Sequence, residues 1–245
     1  MDNALYVGLS RQMTLRRELD IAANNIANVD TAGFKVESLL TREEDGRPAV
    51  TAGAPGWVKF VLDDGVARNF TQGAIRQTGG TFDLAIDGAG FFQIETPQGT
   101  RYTRDGRFTT SPEGVLTNQN GEAVLDAGGG QITIDPAKGP VTVSAEGIVS
   151  QDGAQIGKVG VVRFEDLSQL EKTGDNQFRN TANTQPAPAT DAQIKQGMLE
   201  GSNVNSISEI TRLIDIQRAY ESMANMMDQT QELTRRSVQR LGQVS

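Results

Sequence analysis

The chain contains neither cysteine nor histidine. The first absence removes disulfides, thiolate nucleophiles and thiolate metal sites, and the second removes His-based triads and His-ligated zinc. Catalysis would have to run on carboxylates, Lys, Tyr or Ser, and metal binding on oxygen ligands alone. Aromatic residues are scarce, at 5% of 245 residues, which argues against a deep apolar pocket. Positive charge is in deficit as well. The 23 Lys and Arg face 31 Asp and Glu, giving a net charge of −8 without any basic cluster, so nucleic acid is not an expected partner. No run of about 18 apolar residues exists, so no direct membrane insertion is expected. The opening MDNALYVGLSRQ has no basic stretch leading into an apolar core, and the expectation is a chain without a cleavable signal peptide.

Glycine, by contrast, is abundant, with 27 residues. Much of it recurs between about Phe70 and Phe164 as repeated turn signals: Asp87-Gly88, Asp105-Gly106, Glu113-Gly114, Asn120-Gly121, Glu146-Gly147 and Asp152-Gly153. The short runs between them, among them FDLAI, FFQIE, RYTR, ITI and KVGVVRF, alternate with period two and read as strands. This is an antiparallel β-domain, expected over residues 70–173.

The two ends read differently. Leu5, Leu9, Met13, Leu19, Ala22, Ala23 and Ile26 fall mostly three and four residues apart, as on one face of a helix. Toward the other end, Ser206-Ile207-Ser208-Glu209 has the form of a capping box with Ser206 as N-cap. Steps of three and four from there select Ile210, Leu213, Gln217, Tyr220, Ala224, Met227, Gln231, Thr234, Val238 and Leu241, the 3.5-residue spacing of a coiled-coil seam. The fold class is therefore α+β. Long N- and C-terminal helices pair as a coiled-coil-like layer (residues 1–40 and 198–245), joined by connecting segments (41–69 and 174–197) to the central β-domain.

No cofactor is expected. Gly88-x-Gly90 sits between strands and opens no helix, so a hairpin turn is the better reading than a dinucleotide loop. The triplet Gly128-Gly129-Gly130 lacks the Lys-Ser/Thr of a phosphate loop. Glu43-Glu44-Asp45 and Asp63-Asp64 are carboxylate groupings with charged neighbours, more in keeping with a solvated surface than with a desolvated acid/base pair. A carboxylate-based glycan hydrolase is nonetheless the one enzyme class the composition leaves open, and a β-rich adhesin or binding module is a third reading. Met223, Met226 and Met227 read as adaptable packing on the helix seam, and Trp57 as a local packing anchor.

Four segments carry a family resemblance. Ala23 to Lys35, ANNIANVDTAGFK, resembles the signature of bacterial flagellar rod and hook proteins. Phe70 to Ile94, FTQGAIRQTGGTFDLAIDGAGFFQI, resembles that family's central motif, and YTRDGRF from Tyr102 the hairpin after it. LEGSNVN from Leu199, followed by QRAYE from Gln217, resembles its C-terminal helix entry. The segments occur in the family's order and span nearly the whole chain. The start MDNALYVGLS and the modest length look most like the proximal rod members, with distal rod members as the alternative; the hook protein usually carries a larger outer insertion. The resemblance implies a structural subunit, not an enzyme. Its partners would be copies of itself, other rod proteins and the flagellar type III export apparatus. Its place would be the basal-body rod spanning the periplasm, helices inward and β-domain outward, where it would transmit torque from motor to hook.

On this reading Asn24, Asn25 and Asn28, poor helix-interior residues, are candidate intersubunit hydrogen-bond groups beside Ile26. The alternative is a frayed helix end whose amides cap backbone. Gly33 would turn the chain out of the helical layer in a left-handed conformation and Phe34 would anchor the exit.

Overall fold

The structure, a computed structural model, describes residues 2–46, 58–182 and 184–242, and it divides into two compact units. The expected role of Trp57 lies outside the described residues. One unit holds the helices α1 (Asp2–Ala27) and α2 (Ser206–Gly242), together with strands β1 (Glu37–Gly46) and β2 (Val58–Arg68). The other, comprising residues 28–36 and 69–204, is almost entirely strand and turn. The α+β class is thus observed, with helices at the two ends and a β-rich centre.

In the helical unit α1 and α2 run in opposite directions. Gly8 of α1 faces Met227 and Met223, where a Cβ would come within 3.2 Å of Met227 Cγ. Asn25, near the other end of α1, hydrogen-bonds Glu209 in the first turn of α2. Between these points Leu15, Ala22 and Ile216 form a buried cluster, with Leu19, Leu213, Tyr220 and Met223 packed against it. The covered row of α2 is therefore Glu209, Leu213, Ile216, Tyr220, Met223 and Met227, in alternating steps of four and three.

That register differs from the sequence expectation in one of its two rows. Leu213, Tyr220 and Met227 are half-buried and form one of the two rows. Ile210 is 47% exposed and Gln217 is exposed, while Glu209 and Ile216 take the covered places beside them. The reason lies at the helix start. Asn205, not Ser206, caps α2: its Oδ1 accepts from the Ser208 N–H (3.1 Å) and its carbonyl from the Glu209 N–H (3.0 Å). Glu209 is then free of the capping box and turns to Asn25. On α1, Leu9 and Met13 are exposed, because the covered positions are Gly8, Leu15 and Ala22 at seven-residue spacing. The side chains of Leu5, Val238 and Leu241 lie outside the described residues.

Strands β1 and β2 form an antiparallel two-stranded ribbon from Glu37↔Arg68 to Gly46↔Val58, with a bulge where Leu40 pairs Gly65 and Thr41 pairs Asp63. Residues 41–69, expected as a connector, thus supply most of a hairpin within the helical unit, and residues 47–57 are outside the description. A charged ribbon such as Thr41-Arg42-Glu43 paired with Val61-Leu62-Asp63 has no clean apolar alternation, so period-two patterning does not announce it.

In the β unit, β3 (Ile75–Gln77) pairs with Met198–Glu200, and β4 (Leu84–Asp87) pairs with Gln193–Gln196. β5 (Phe91–Thr96) and β6 (Gly99–Thr103) form a hairpin inside a nine-stranded antiparallel sheet, which also takes in Gln177–Asn180 and Leu170–Gly174. The late segment 174–197, expected as a connector, therefore supplies three strands, its last returning to pair with β4. Leu84, Ile86, Phe92, Ile94, Val124 and Val159 belong to one buried core cluster. A second, separate cluster holds edge-to-face rings, Phe91 with Phe70, Phe164 and Phe178. Glycines at 88, 114, 121, 147 and 153 have positive φ, as the turn signals imply. Gly106 does not; a Cβ there would lie 1.6 Å from the Leu84 carbonyl oxygen, so glycine is needed for close approach instead.

Candidate functional site

Three of the segments that carry the family resemblance, with residues from the fourth, converge on one buried joint within the β unit. Immediately after α1, Thr31 Oγ1 donates to Asn28 Oδ1 (3.1 Å) and the Phe34 N–H donates to the Thr31 carbonyl (3.3 Å), which makes a tight turn. Gly33 sits in it at φ +68°, and its N–H donates to the Glu200 carbonyl at 2.8 Å. Phe34 is fully buried, with the Lys172 ammonium 4.4 Å above its ring.

Glu200 is the hub. Its side chain is 0% exposed. Oε1 accepts from Lys35 Nζ (2.5 Å) and from the Gly73 N–H (2.9 Å), and Oε2 accepts from Arg104 Nη1 (3.0 Å). Lys35 also donates to the Thr71 carbonyl (2.8 Å), and Arg104 Nη2 to the Gly88 carbonyl (2.8 Å). Beside this triad Asn203 Oδ1 accepts the Val36 N–H (2.8 Å), and its amide donates to the carbonyls of Asn69 (2.8 Å) and Thr71 (3.0 Å). Burial pushes the Lys35 ammonium below its ordinary pKa against the pull of Glu200, and the nearby Arg104 charge lowers it further. Burial likewise lowers Arg104, with Glu200 opposing. Two cations are thus held on one carboxylate, each at a desolvation cost. Removing one partner from such a group costs far more than the intact group contributes.

A second polar cluster lies within the helical unit. Asn25 is 0% exposed. Its amide nitrogen donates to the Glu37 carbonyl (2.8 Å) and to Glu209 Oε2 (3.1 Å), and its oxygen accepts the Glu37 N–H (3.0 Å). The Glu37 side chain is paired in turn with Arg68 Nε at 2.9 Å. Asn25, a candidate intersubunit hydrogen-bond group from the sequence, has both its donors and its oxygen bonded inside its own unit. Asn24 is exposed, and Asn28 and Ile26 are half-buried.

The carboxylates that a hydrolase would need are accounted for. Among the described residues the buried ones are Glu37, Glu200 and Glu209, each held by the internal partners given above. Asp63 and Asp64 lie on the surface against Arg17 and Arg42. The sequence marked Glu209 only as half of a capping box, and it gave no individual role to Lys35, Arg104, Glu200 or Ile216. The available signal was only that Lys35, Arg104 and Glu200 are charged residues inside three of the segments that carry the family resemblance.

The helix register has a direct check. Ile216→Ala is expected to lower the unfolding free energy by about 2–3 kcal/mol, because Ile216 is 6% exposed against Leu15 and Ala22. Ile210→Ala should change it by less than about 0.5 kcal/mol. Urea unfolding of the two variants decides; the reverse order would restore the register read from the sequence.

Known proteins match this arrangement segment by segment. Residues 5–35 match the family described as flagella basal body rod protein, residues 85–151 the FlgE/F/G flagellar hook protein D1 domain, and residues 195–240 the C-terminal part of the FlgEFG basal body rod proteins. The flagellar basal-body rod protein FlgF of Caulobacter vibrioides is 64% identical over 245 residues, covering all of both chains. That of Mesorhizobium japonicum is 37% identical over 246 residues, again covering both in full. FlgG of Bacillus subtilis is 33% identical over 258 residues, covering 95% of this chain and 97% of that one. The chain belongs to the flagellar basal-body rod protein family, a structural family and not one of enzymes. Within it the chain is of the FlgF type, the FlgG proteins being more distant relatives.

Proposed function

We propose that the chain assembles helically with copies of itself and with neighbouring rod proteins, proximal and distal, and transmits torque from motor to hook. Its terminal helices would associate as a coiled-coil-like layer, and export through the flagellar type III apparatus would deliver it to a rod crossing the periplasm. The observation that carries this reading is a second apolar set on the helices, away from the covered rows. Tyr6, Leu9 and Met13 of α1 and Ile207, Ile210 and Ile214 of α2 are exposed, Met13 at 66% and Ile207 at 78%. Helices that present such residues have unfilled packing capacity, and a head-to-tail contact that does not close on itself builds a filament.

The charge distribution supports the same reading. Of the 23 basic and 31 acidic residues, 12 and 14 fall in the helical unit and 11 and 17 in the β unit, or −2 against −6 of the total −8. Copies packed through their helical units would bring together nearly neutral surfaces.

The test replaces Leu9, Met13, Ile210 and Ile214 by serine. The expected result is an unchanged monomer melting temperature with loss of assembly and of motility when the variant complements a deletion strain. A variant that assembles normally would refute helix-mediated packing. Equal loss of monomer stability would place these residues in the subunit core instead.

A further inference from the structure

Lys35 and Arg104 share one buried carboxylate that lies 165 residues after the first and 96 after the second. Without Glu200, docking Gly33–Lys35 onto the β unit would bury two like charges. For hydrogen bonds Lys35 would keep only the Thr71 carbonyl and Arg104 only that of Gly88, and the Phe91 ring 5.4 Å from the guanidinium supplies no counter-charge. Arg104 is already incompletely satisfied, since its buried Nε–H has no hydrogen-bond partner. The neighbouring backbone bonds need the same late segment. The Gly33 N–H donates to the Glu200 carbonyl, the Gly201 N–H to that of Ala74, and the Val36 N–H to Asn203 Oδ1. A Cβ at Gly73 would strike the Gly201 carbonyl oxygen at 2.1 Å, so the two segments seat in contact. By contrast, the β5–β6 hairpin closes a short loop, and short loops close at lower entropic cost.

We propose that Glu200 is a completion latch. The segment after α1 stays undocked, with Lys35 and Arg104 solvated, until residues 197–204 seat and a single carboxylate neutralises both cations. A chain that emerges N-terminus first in synthesis therefore keeps the joint open until residue 200 has arrived, while strands of the core pair ahead of it. The inference stands on the joint's geometry and is independent of the rod reading.

Pulse-labelling hydrogen exchange during refolding of the full chain tests it. The core amides of Gln93 and Leu125, bonded to the carbonyls of Gly160 and Gln93, are expected to gain protection first. Those of Gly33, Val36 and Gly73 should follow in a later phase; simultaneous protection overturns the proposal. At equilibrium, Glu200→Gln should reduce protection at Gly33, Val36 and Gly73 about a hundredfold while sparing Gln93 and Leu125. Lys35→Met combined with Glu200→Gln, which removes one of the two cations, should recover most of that loss. Unchanged protection in Glu200→Gln refutes the latch. If Glu200→Gln unfolds the whole β unit, the double variant decides: a refolded double variant supports cation repulsion as the barrier, and one that stays unfolded overturns it.

Discussion

Gly33→Ala is expected to destabilise the β unit by about 4 kcal/mol or more, in the range that single substitutions reach only through a named structural fault. Two faults coincide. The φ of +68° is left-handed, which costs an L-residue about 1–2 kcal/mol. The added Cβ would also lie 2.4 Å from the Arg104 carbonyl carbon and 2.5 Å from the Asp105 nitrogen. These are backbone atoms of the turn that places Arg104 against Glu200, so no side-chain rotation relieves the contact. Moving them would disturb the Arg104–Glu200 bond and, through Glu200, Lys35. Gly79→Ala is the control. Its φ is +76°, nothing lies within 4 Å of a Cβ there, and only the conformational term applies. Urea unfolding of both variants separates strain from close approach. Equal losses would show that the joint relaxes around a methyl group and that the 2.4 Å approach is not a constraint.

That Gly33 needs a left-handed turn follows from Asp30-Thr31-Ala32-Gly33 at a helix end; that it must also lie against Arg104 does not, because the contact joins segments far apart in the chain. The β-region is readable for the same local reason, since turn signals and alternation are short-range features. The charged β1–β2 ribbon is not, because a two-stranded element with much exposed surface needs no apolar alternation. Helix periodicity gave α1 and α2, and one row of the α2 seam. The other row slipped by one residue because a polar residue, Glu209, occupies a covered position and resembles half of a capping box. Hydrophobic patterning is blind to a buried carboxylate whose partner, Asn25, is 184 residues away. The triad Lys35–Arg104–Glu200 was hidden in the same way. A buried charge is indistinguishable in sequence from a solvated one until its counter-charge is placed beside it.

Asn25→Ala is expected to cost about 3–5 kcal/mol of monomer stability, measured by denaturant unfolding. The truncation leaves the Glu37 N–H, the Glu37 carbonyl and a Glu209 carboxylate oxygen without the amide, at a site 0% exposed where water cannot readily substitute. Each unmet buried group costs about 1–3 kcal/mol. Asn25→Asp should be at least as harmful. The aspartate could still accept the Glu37 N–H, but it would turn an acceptor toward the Glu37 carbonyl and a negative charge toward Glu209, and no described cation bonds Glu209 there. Asn24→Ala, at an exposed position on the same helical turn, should change stability by less than about 0.5 kcal/mol. If Asn25→Ala left the monomer unfolding curve unchanged yet abolished assembly, the amide would be acting between subunits after all. The geometry argues otherwise. A side chain with two donors, bonded at once to the Glu37 backbone and the Glu209 carboxylate, has no N–H left for a neighbour. What it can do is fix register, because a one-residue slip of α1 along α2 would withdraw the amide from Glu209 and leave a buried carboxylate unbonded. Polar pairing at Asn25 and tight packing of Gly8 on Met227 mark opposite ends of the helix contact. The cluster of asparagines that looks like a weakness in α1 is therefore, at its central member, the element that aligns α1 with α2.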